Sequence, residues 1–360
     1  MTPNLDTKRV LVYRLGSLGD TLIVLPSLRL IARTFPNAER RMLTNWPVSS
    51  KAPAAAAVLG PTGLIHGYMR YQVGTRNPLA LAKLAWEIRQ FKPDVLVYLA
   101  AGRGLANTKR DAAFFRLAGV KKFVGIPLTE DMQQNRLDEN GIYEQEAAKH
   151  ARNIAELGDA RLDDAASWDL ELVPAEKDKA AALLKPLGDR PVIAVSVGTK
   201  VQAKDWGVEN WRGLLAQMGA AYPEFGLALA GAPEESTVSE AAADGWRAAG
   251  GGPVVNLCGK LTPRESAAAF AHARLFVGHD SGPMHLAAAV QTPCVAIFAA
   301  RNKPAVWFPY GPGHRVIYHK VDCWGCGLET CIVEKKKCLM SITVDEVMHE
   351  VRAALSTMAK

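Results

Sequence analysis

Five short segments of the 360-residue chain carry the side chains best suited to chemistry. Gly16-Ser17-Leu18-Gly19-Asp20 joins a strand-like run to a helix-like one. Glycines at such a turn let the backbone approach a ligand, and a helix N-terminus favours anionic groups. The spacing is Gly-x-x-Gly and not the Gly-x-Gly-x-x-Gly of dinucleotide sites, so it lends little to a nicotinamide reading. Asp20 fits two roles there, helix N-cap or general base. Gly278-His279-Asp280-Ser281-Gly282-Pro283-Met284-His285 reads as strand, tight turn and helix, with Pro283 at the first helical position. Asp280 and Ser281 are ordinary capping residues, yet Gly282 and the open N–H groups of the helix start also form an anion cradle. His285, in the first turn, either hydrogen-bonds a diphosphate or packs. Thr199, Lys200 and Lys204 lie in a Gly/Thr loop after another buried run, where a lysine is a point charge for an oxyanion or a solvated loop cation. Glu234 and Glu235 follow a further strand; they accept ribose hydroxyls or are simply acids at a helix start.

The fifth segment is Cys323-x2-Cys326-x4-Cys331-x6-Cys338. A secreted chain would use it as a disulfide knot. With no export signal in the sequence, a thiolate site for one Zn or Fe is the expectation, against free thiols or a disulfide pair. Cys258 and Cys294 stand in apolar surroundings and are expected to pack as small buried hydrophobes.

These segments need elements to hold them. Residues 9–15 read as a buried strand, and Leu22, Leu25, Leu28, Ala32 and Phe35 have helical spacing that stops before Pro36. Residues 79–91 read as a helix, 94–100 as a strand, 112–118 as a short helix, 130–141 as a polar loop and 143–157 as a helix. The second half repeats the alternation, with strands expected at 192–197, 226–230, 253–257, 275–278 and 293–298. Thr343 and Glu346 have capping-box spacing and open a helix expected to run to about Ala359. Strand–helix alternation with continuous apolar strands implies α/β architecture with parallel sheets covered on both faces. We expect two Rossmann-like domains facing across a cleft, 1–173 and 174–360, with the Ala-, Pro- and Gly-containing stretch 174–190 opening the second. Such sheets bind ligands at the carboxyl ends of their strands.

Composition narrows the class. The chain is 49% hydrophobic and 22% charged, as expected of a packed globular protein. No apolar run approaches the roughly 18–20 residues that span a bilayer. Lys8-Arg9 runs directly into a strand-like segment with no cleavage site behind it, so an exported or integral membrane protein is not expected. The net charge is +7, and the first 170 residues hold 23 basic against 17 acidic groups, a balance of +6. That half is suited to an anionic partner: nucleic acid, membrane surface or glycolipid. No nucleic-acid module is visible, which puts nucleic acid last.

Gly19-Asp20-x5-Pro26, the loop from Gly198 to Trp206 with its lysine, the Asp280-Ser-Gly-Pro-Met-His285-Leu-Ala segment, and the stretch from Tyr143 to Gly158 with Glu144 and His150 together resemble bacterial glycosyltransferase family 9. These are the lipopolysaccharide heptosyltransferases, and the resemblance runs from about residue 8 to residue 355. It implies a GT-B fold and an inverting, metal-independent transfer from a nucleotide sugar, typically ADP-heptose, to a lipopolysaccharide core or related glycolipid. On that resemblance Asp20 is the general base and Lys204 and Thr199 lie near the departing diphosphate. Gly19, Asp280, Ser281, Gly282 and His285 belong to donor binding, with Glu234 or Glu235 on the ribose. Arg103, Lys109, Arg110 and Lys122, with Arg116 and Lys121, are candidate contacts for an anionic acceptor. The four cysteines become a structural clip, holding Zn or Fe and not needed for transfer, with Lys335-Lys336-Lys337 offsetting thiolate charge or touching an anionic membrane. The implied location is cytoplasmic, peripheral at the inner membrane. The alternatives are the same fold using a UDP- or GDP-sugar in O-antigen or glycoprotein assembly, a non-catalytic nucleotide-sugar binding protein, and a sugar-nucleotide epimerase.

Overall fold

The computed structural model describes residues 6–46, 55–332 and 334–357. The chain divides into two compact units, the first ending at Glu171 and the second beginning at Leu172. In the first unit β1 (Arg9–Tyr13), β2 (Glu39–Asn45), β3 (Gly67–Tyr71), β4 (Val95–Tyr98) and β5 (Phe123–Val124) form one sheet in the order β3-β2-β1-β4-β5. Every pairing is parallel, with Tyr13 level with Leu43 on one side and Tyr98 on the other. The second unit has β6 (Val192–Ser196), β7 (Gly226–Leu229), β8 (Val254–Asn256), β9 (Ala273–His279), β10 (Cys294–Phe298) and β11 (Arg315–Tyr318). Their order is β11-β10-β9-β6-β7-β8, again parallel throughout. The expected α/β class with parallel sheets is therefore what the chain adopts.

Strand order reverses between β1 and β4 in the first sheet and between β6 and β9 in the second. At such a reversal adjacent strands send their chains to opposite faces, opening a crevice at the carboxyl ends. The 14–20 turn leaves β1, the 199–206 loop leaves β6 and the 280–285 turn leaves β9. Topology thus delivers three of the five chemical segments to switch points.

Buried aromatic residues hold these strand ends. Tyr13 packs edge-to-face on Tyr98 and Phe115, with ring centroids 5.1 Å apart in each pair. In the second unit Trp206, Trp211 and Trp246 are fully buried. Cys258 and Cys294 are buried, as expected, although the Cys258 thiol lies 3.6 Å from the Ser239 hydroxyl. Helix limits follow local chemistry: Asn77 Oδ1 accepts from the N–H groups of Leu79 and Ala80 at 3.0 and 3.4 Å to start Pro78–Phe91, and the Thr262/Glu265 capping box starts Pro263–Ala271.

Several expectations need adjustment. The helix expected from Leu22 to Phe35 is two pieces, Leu18–Leu22 and Leu25–Thr34, with Pro26 in the first turn of the second. The short helix at 112–118 is the end of Leu105–Leu117. The polar loop at 130–141 opens with the one-turn helix Glu130–Gln133. The helix expected at 143–157 is Glu146–Asn153 followed by a separate turn. The last helix is Val344–Thr357, and its expected end at Ala359 lies outside the described residues. No helix among the described residues is long and apolar enough to cross a membrane.

Candidate active site

In the first unit the turn after β1 is built around Asp20. Ser17 is the helix N-cap and Asp20 the third helical residue, its carboxylate reaching back to the Ser17 N–H at 2.8 Å and the Ser17 hydroxyl at 3.0 Å. Asp20 is therefore not the N-cap, one of the two roles its sequence position allowed. Gly16 has φ +135, and a Cβ built on it would fall 2.3 Å from Asp20 side-chain atoms, so only glycine lets the carboxylate fold over the turn. Arg14, fully buried, donates to Asp20 Oδ1 at 3.3 Å, to the Leu99 carbonyl at 2.6 Å and to His150 Nε2 at 3.0 Å. Behind it Glu146 faces Lys149 at 2.7 Å and His150 at 3.4 Å. Burial works against the Glu146 carboxylate, but His150 and Lys149 outweigh it and hold its pKa well below the usual range. Burial lowers the His150 pKa, and the Glu146 carboxylate beside it works in the opposite direction. Asp20 itself is about a quarter exposed, the open end of an otherwise buried charge network. Sequence reasoning missed Arg14; a charged residue inside a buried strand run was the available signal.

A cavity of about 390 Å³ meets the end of β1 at Tyr13, lined by the apolar Leu43, Leu84, Phe114 and Phe115 and by Arg76, Arg103 and Arg110. Arg103 bonds the Asp111 carboxylate and the Tyr13 hydroxyl, the latter at 3.1 Å, and Tyr98 donates to Asp111 at 3.0 Å. Burial first, then the Asp111 charge, pushes the Tyr98 hydroxyl up to about 12, so it stays a donor. Arg103 and Arg110 thus share one cavity, which Arg76 joins unannounced by the sequence. Lys109 and Lys122 are exposed and do not line it.

In the second unit Lys204 and Asp280 meet. Lys204 Nζ lies 2.7 Å from Asp280 Oδ2 and 3.0 Å from the Asp280 carbonyl, and both side chains are largely buried. Asn302 adds an amide donor to Oδ2 at 3.4 Å. Next to Asp280, Ser281 is the N-cap of Gly282–Ala289, but its side chain makes no capping bond and its buried hydroxyl has no hydrogen-bond partner. His285 is buried one turn into that helix, edge-on to Trp307. His279 anchors the 199–206 loop by accepting from the Trp206 N–H at 3.2 Å and the Trp211 indole N–H at 3.3 Å. Burial pushes its pKa down to about 4, so the ring is neutral and able to accept. Thr199 Oγ1 accepts from the Val201 N–H within the loop at 3.3 Å.

Between the two glutamates the structure draws a distinction. Glu234 is exposed, whereas Glu235 turns back to accept from the Ala232 N–H at 2.8 Å. Its carboxylate lies against Gly198 and Gly231, where a Cβ would approach within 2.2 and 2.4 Å. The helix-start role read for these acids is the one Glu235 plays here, while its position also joins the loops after β6 and β7.

The four cysteines share one loop but do not assemble the expected metal site. Cys323 and Cys326 are exposed, Cys331 and Cys338 half-buried, and none is in a disulfide. Burial pushes the Cys338 thiol up, and the neighbouring thiols add to it. Even so, no group of three or more His, Cys, Asp or Glu among the described residues is disposed to hold a metal ion. The loop's backbone is committed elsewhere: the Lys336 N–H points at Cys331 Sγ at 3.2 Å, and the Cys331 N–H at Gln202.

A family model described as glycosyltransferase family 9 (heptosyltransferase) matches residues 138–337. Lipopolysaccharide heptosyltransferase 3 of Escherichia coli is 47% identical over 58 residues, covering 16% of this chain and 17% of that protein. Lipooligosaccharide heptosyltransferase 2 of Campylobacter jejuni is 29% identical over 104 residues, covering 28% of this chain and 32% of that protein. The matched segments are thus well short of these relatives' full lengths. Among solved structures, a glycosyl transferase family 9 protein from Veillonella parvula superposes with TM-score 0.72 at 17% identity, covering 99% of this chain and all of that one. The E. coli ADP-heptose lipopolysaccharide heptosyltransferase II gives 0.65 at 18%, covering 98% and 100%, and E. coli heptosyltransferase WaaC with ADP gives 0.63 at 17%, covering 96% and 99%. At these identities the structures speak for the fold.

Proposed function

The chain belongs to glycosyltransferase family 9, the heptosyltransferases, and from that premise we propose that it moves a heptose from ADP-heptose to a lipopolysaccharide core or related glycolipid, with inversion. Asp20 takes the proton of the acceptor hydroxyl as that oxygen attacks the anomeric carbon. The bond from that carbon to the diphosphate breaks, and ADP leaves with the electron pair. Negative charge therefore builds on the diphosphate, and fixed donors aimed at it lower the barrier. Lys204 is suited to this: an ammonium has three donors, two are spent on Asp280, and the third serves a phosphate oxygen. The start of helix Gly282–Ala289 adds its open N–H groups and the Ser281 hydroxyl. Glu235 is the better placed of the two acids for the ribose. No step passes through the four thiols.

The observation that carries this reading is the buried Lys204–Asp280 pair beside an N-cap hydroxyl that has no partner, at the β6/β9 switch point. A structural cap would have used that hydroxyl; an anion site keeps it for its ligand.

On the acceptor side, Arg76, Arg103 and Arg110 with the apolar lining suit a phosphorylated or acidic sugar whose ring lies on aromatic side chains. Peripheral contact with the cytoplasmic face of the inner membrane is part of the reading. Residues 76–122 hold ten basic and three acidic groups, a surplus equal to the +7 of the entire chain. The same stretch exposes Leu79, Trp86 and Leu117. Exposed apolar side chains among cations are what an anionic bilayer surface binds.

The test is a mass-spectrometric transfer assay offering ADP-heptose and heptose-free lipopolysaccharide core to the wild type and Asp20→Asn, without added metal. The acceptor should gain one heptose with the wild type, and the variant should lose about 10²–10⁴ in turnover while binding ADP normally. Normal turnover by Asp20→Asn would remove Asp20 from the mechanism. A wild type that binds ADP and transfers nothing to this acceptor would redirect the search to other acceptors.

A further inference from the structure

The turn that carries Lys204 is short and has little of its own to hold it. It spans Gln202–Lys204, with two local bonds, Lys204 N–H to the Val201 carbonyl at 2.8 Å and Asp205 N–H to the Gln202 carbonyl at 3.1 Å. Beyond the His279 anchor at Trp206, it is held by the cysteine-bearing segment 323–338, more than a hundred residues later. The Ala203 N–H donates to the Glu329 carbonyl at 3.0 Å, and the Cys331 N–H donates to Gln202 Oε1 at 3.0 Å. Lys336 Nζ donates to the Asp205 carbonyl at 2.7 Å and stands 4.0 Å from its carboxylate.

The other end of the segment is fastened to the residues that follow β10. The Gly325 N–H donates to the Ala300 carbonyl at 2.7 Å, and the Gly327 N–H to the Arg301 carbonyl at 2.8 Å. Arg301 returns two bonds, to the Leu328 and Gly327 carbonyls at 2.7 and 2.6 Å. The next residue is Asn302, whose amide reaches Asp280 and whose carbonyl accepts from the Tyr318 hydroxyl at 3.0 Å. The circuit is closed: Lys204 turn, cysteine segment, residues 300–302, Asp280, and back to Lys204. Lys335 and Lys336 both have left-handed backbone, φ 45 and 61, a conformation that side chains other than glycine adopt only when surroundings impose it. That backbone brings the Lys336 N–H to Cys331 Sγ and its ammonium to Asp205.

We propose that residues 323–332 and 334–338 form a strap that sets the Lys204–Asp280 pair for the donor diphosphate, with Gln202 and Lys336 as positioning residues. The strap touches neither reacting atom; it fixes where the ammonium sits when the sugar–phosphate bond breaks. The proposal rests on the reading of Lys204 as the diphosphate contact.

The experiment measures steady-state transfer and ADP affinity for the wild type, Gln202→Ala, Lys336→Met, Lys336→Arg, Lys204→Ala and the Gln202→Ala/Lys204→Ala double variant, with melting curves to confirm folding. Gln202→Ala and Lys336→Met should each lower kcat/KM for the donor by about 3- to 10-fold, the worth of one hydrogen bond, with acceptor KM unchanged. Lys336→Arg should restore most of the loss. In the Lys204→Ala background, removing Gln202 should add nothing, because the group it positions is gone. Wild-type donor kinetics in folded Gln202→Ala and Lys336→Met, or losses that multiply independently with that of Lys204→Ala, would overturn the strap. Unaltered donor binding and turnover in Lys204→Ala would sink the diphosphate reading and the strap with it. A strap that fails alone is thus separable from a site that fails.

Discussion

His279 shows how one buried side chain sets both a loop and a pH response. It sits at the end of β9 with no exposure and accepts from the two tryptophans that pin the Lys204 loop. Its pKa falls from the ordinary 6.5 to about 4 through burial, so the native state keeps it neutral. In the unfolded chain it protonates near 6.5, and the unfolded state then binds more protons than the native one. Stability from this group is therefore complete above about pH 6.5 and is lost as pH falls toward 4. Between pH 7.5 and 5 the loss should be about 2 kcal/mol. Urea unfolding at both pH values should show that loss in the wild type and much less of it in His279→Gln, which keeps an acceptor and cannot titrate. Equal pH dependence in both proteins would show that His279 is not what titrates. Little of this was visible beforehand. Asp20, Lys204 and Asp280 were legible because their residue types stand beside glycines and helix starts. His279 and Asn302 were not, because a strand end or a loop gives a single sequence no sign that its polar residue is turned toward the site; Arg14 was marked only by its charge inside a buried strand run.

At the level of elements, the helix Gly282–Ala289 separates structural capping from ligand binding. Removing an N-cap serine usually costs about 1 kcal/mol because the first turn loses a partner. Ser281 makes no such bond. Ser281→Ala should leave thermal stability nearly unchanged while weakening ADP binding by about 3- to 10-fold. Titration calorimetry with ADP beside a melting curve would show it, and a clear drop in melting temperature with unchanged ADP affinity would return Ser281 to an ordinary cap. The same scale explains which elements the sequence revealed. β4, β7 and β10 are continuous buried apolar runs, and β1, β6 and β9 are apolar runs broken only by Arg9, Ser196, Arg274 and His279, and all were legible. β2 begins Glu-Arg-Arg, β3 alternates Tyr, Met, Arg and Tyr near an edge, and β5 is two residues long. Their place is set by neighbouring strands, which a local pattern does not contain.

For the molecule as a whole, charge is concentrated and not spread. The surplus between Arg76 and Lys122 matches the net charge of the chain, and the helices there present Leu79, Trp86 and Leu117, which are 78, 60 and 71% exposed. Co-sedimentation with vesicles containing phosphatidylglycerol should retain the wild type at low salt, release it at high salt, and fail with purely zwitterionic vesicles. The Leu79→Ser/Trp86→Ser/Leu117→Ser variant should lose most of that binding while still glycosylating a water-soluble acceptor; undiminished vesicle binding would place membrane contact elsewhere. The all-parallel sheets carry a different consequence, for synthesis. β1 pairs residue for residue with β4, Val10 opposite Val95, and β6 with β9, Ile193 opposite Leu275. Each central strand therefore leaves the ribosome roughly eighty residues before its second neighbour exists, which at about 5–20 residues per second is several seconds with one edge of backbone N–H and C=O groups unpaired. Nascent chains halted within either interval are the ones that should most need a chaperone.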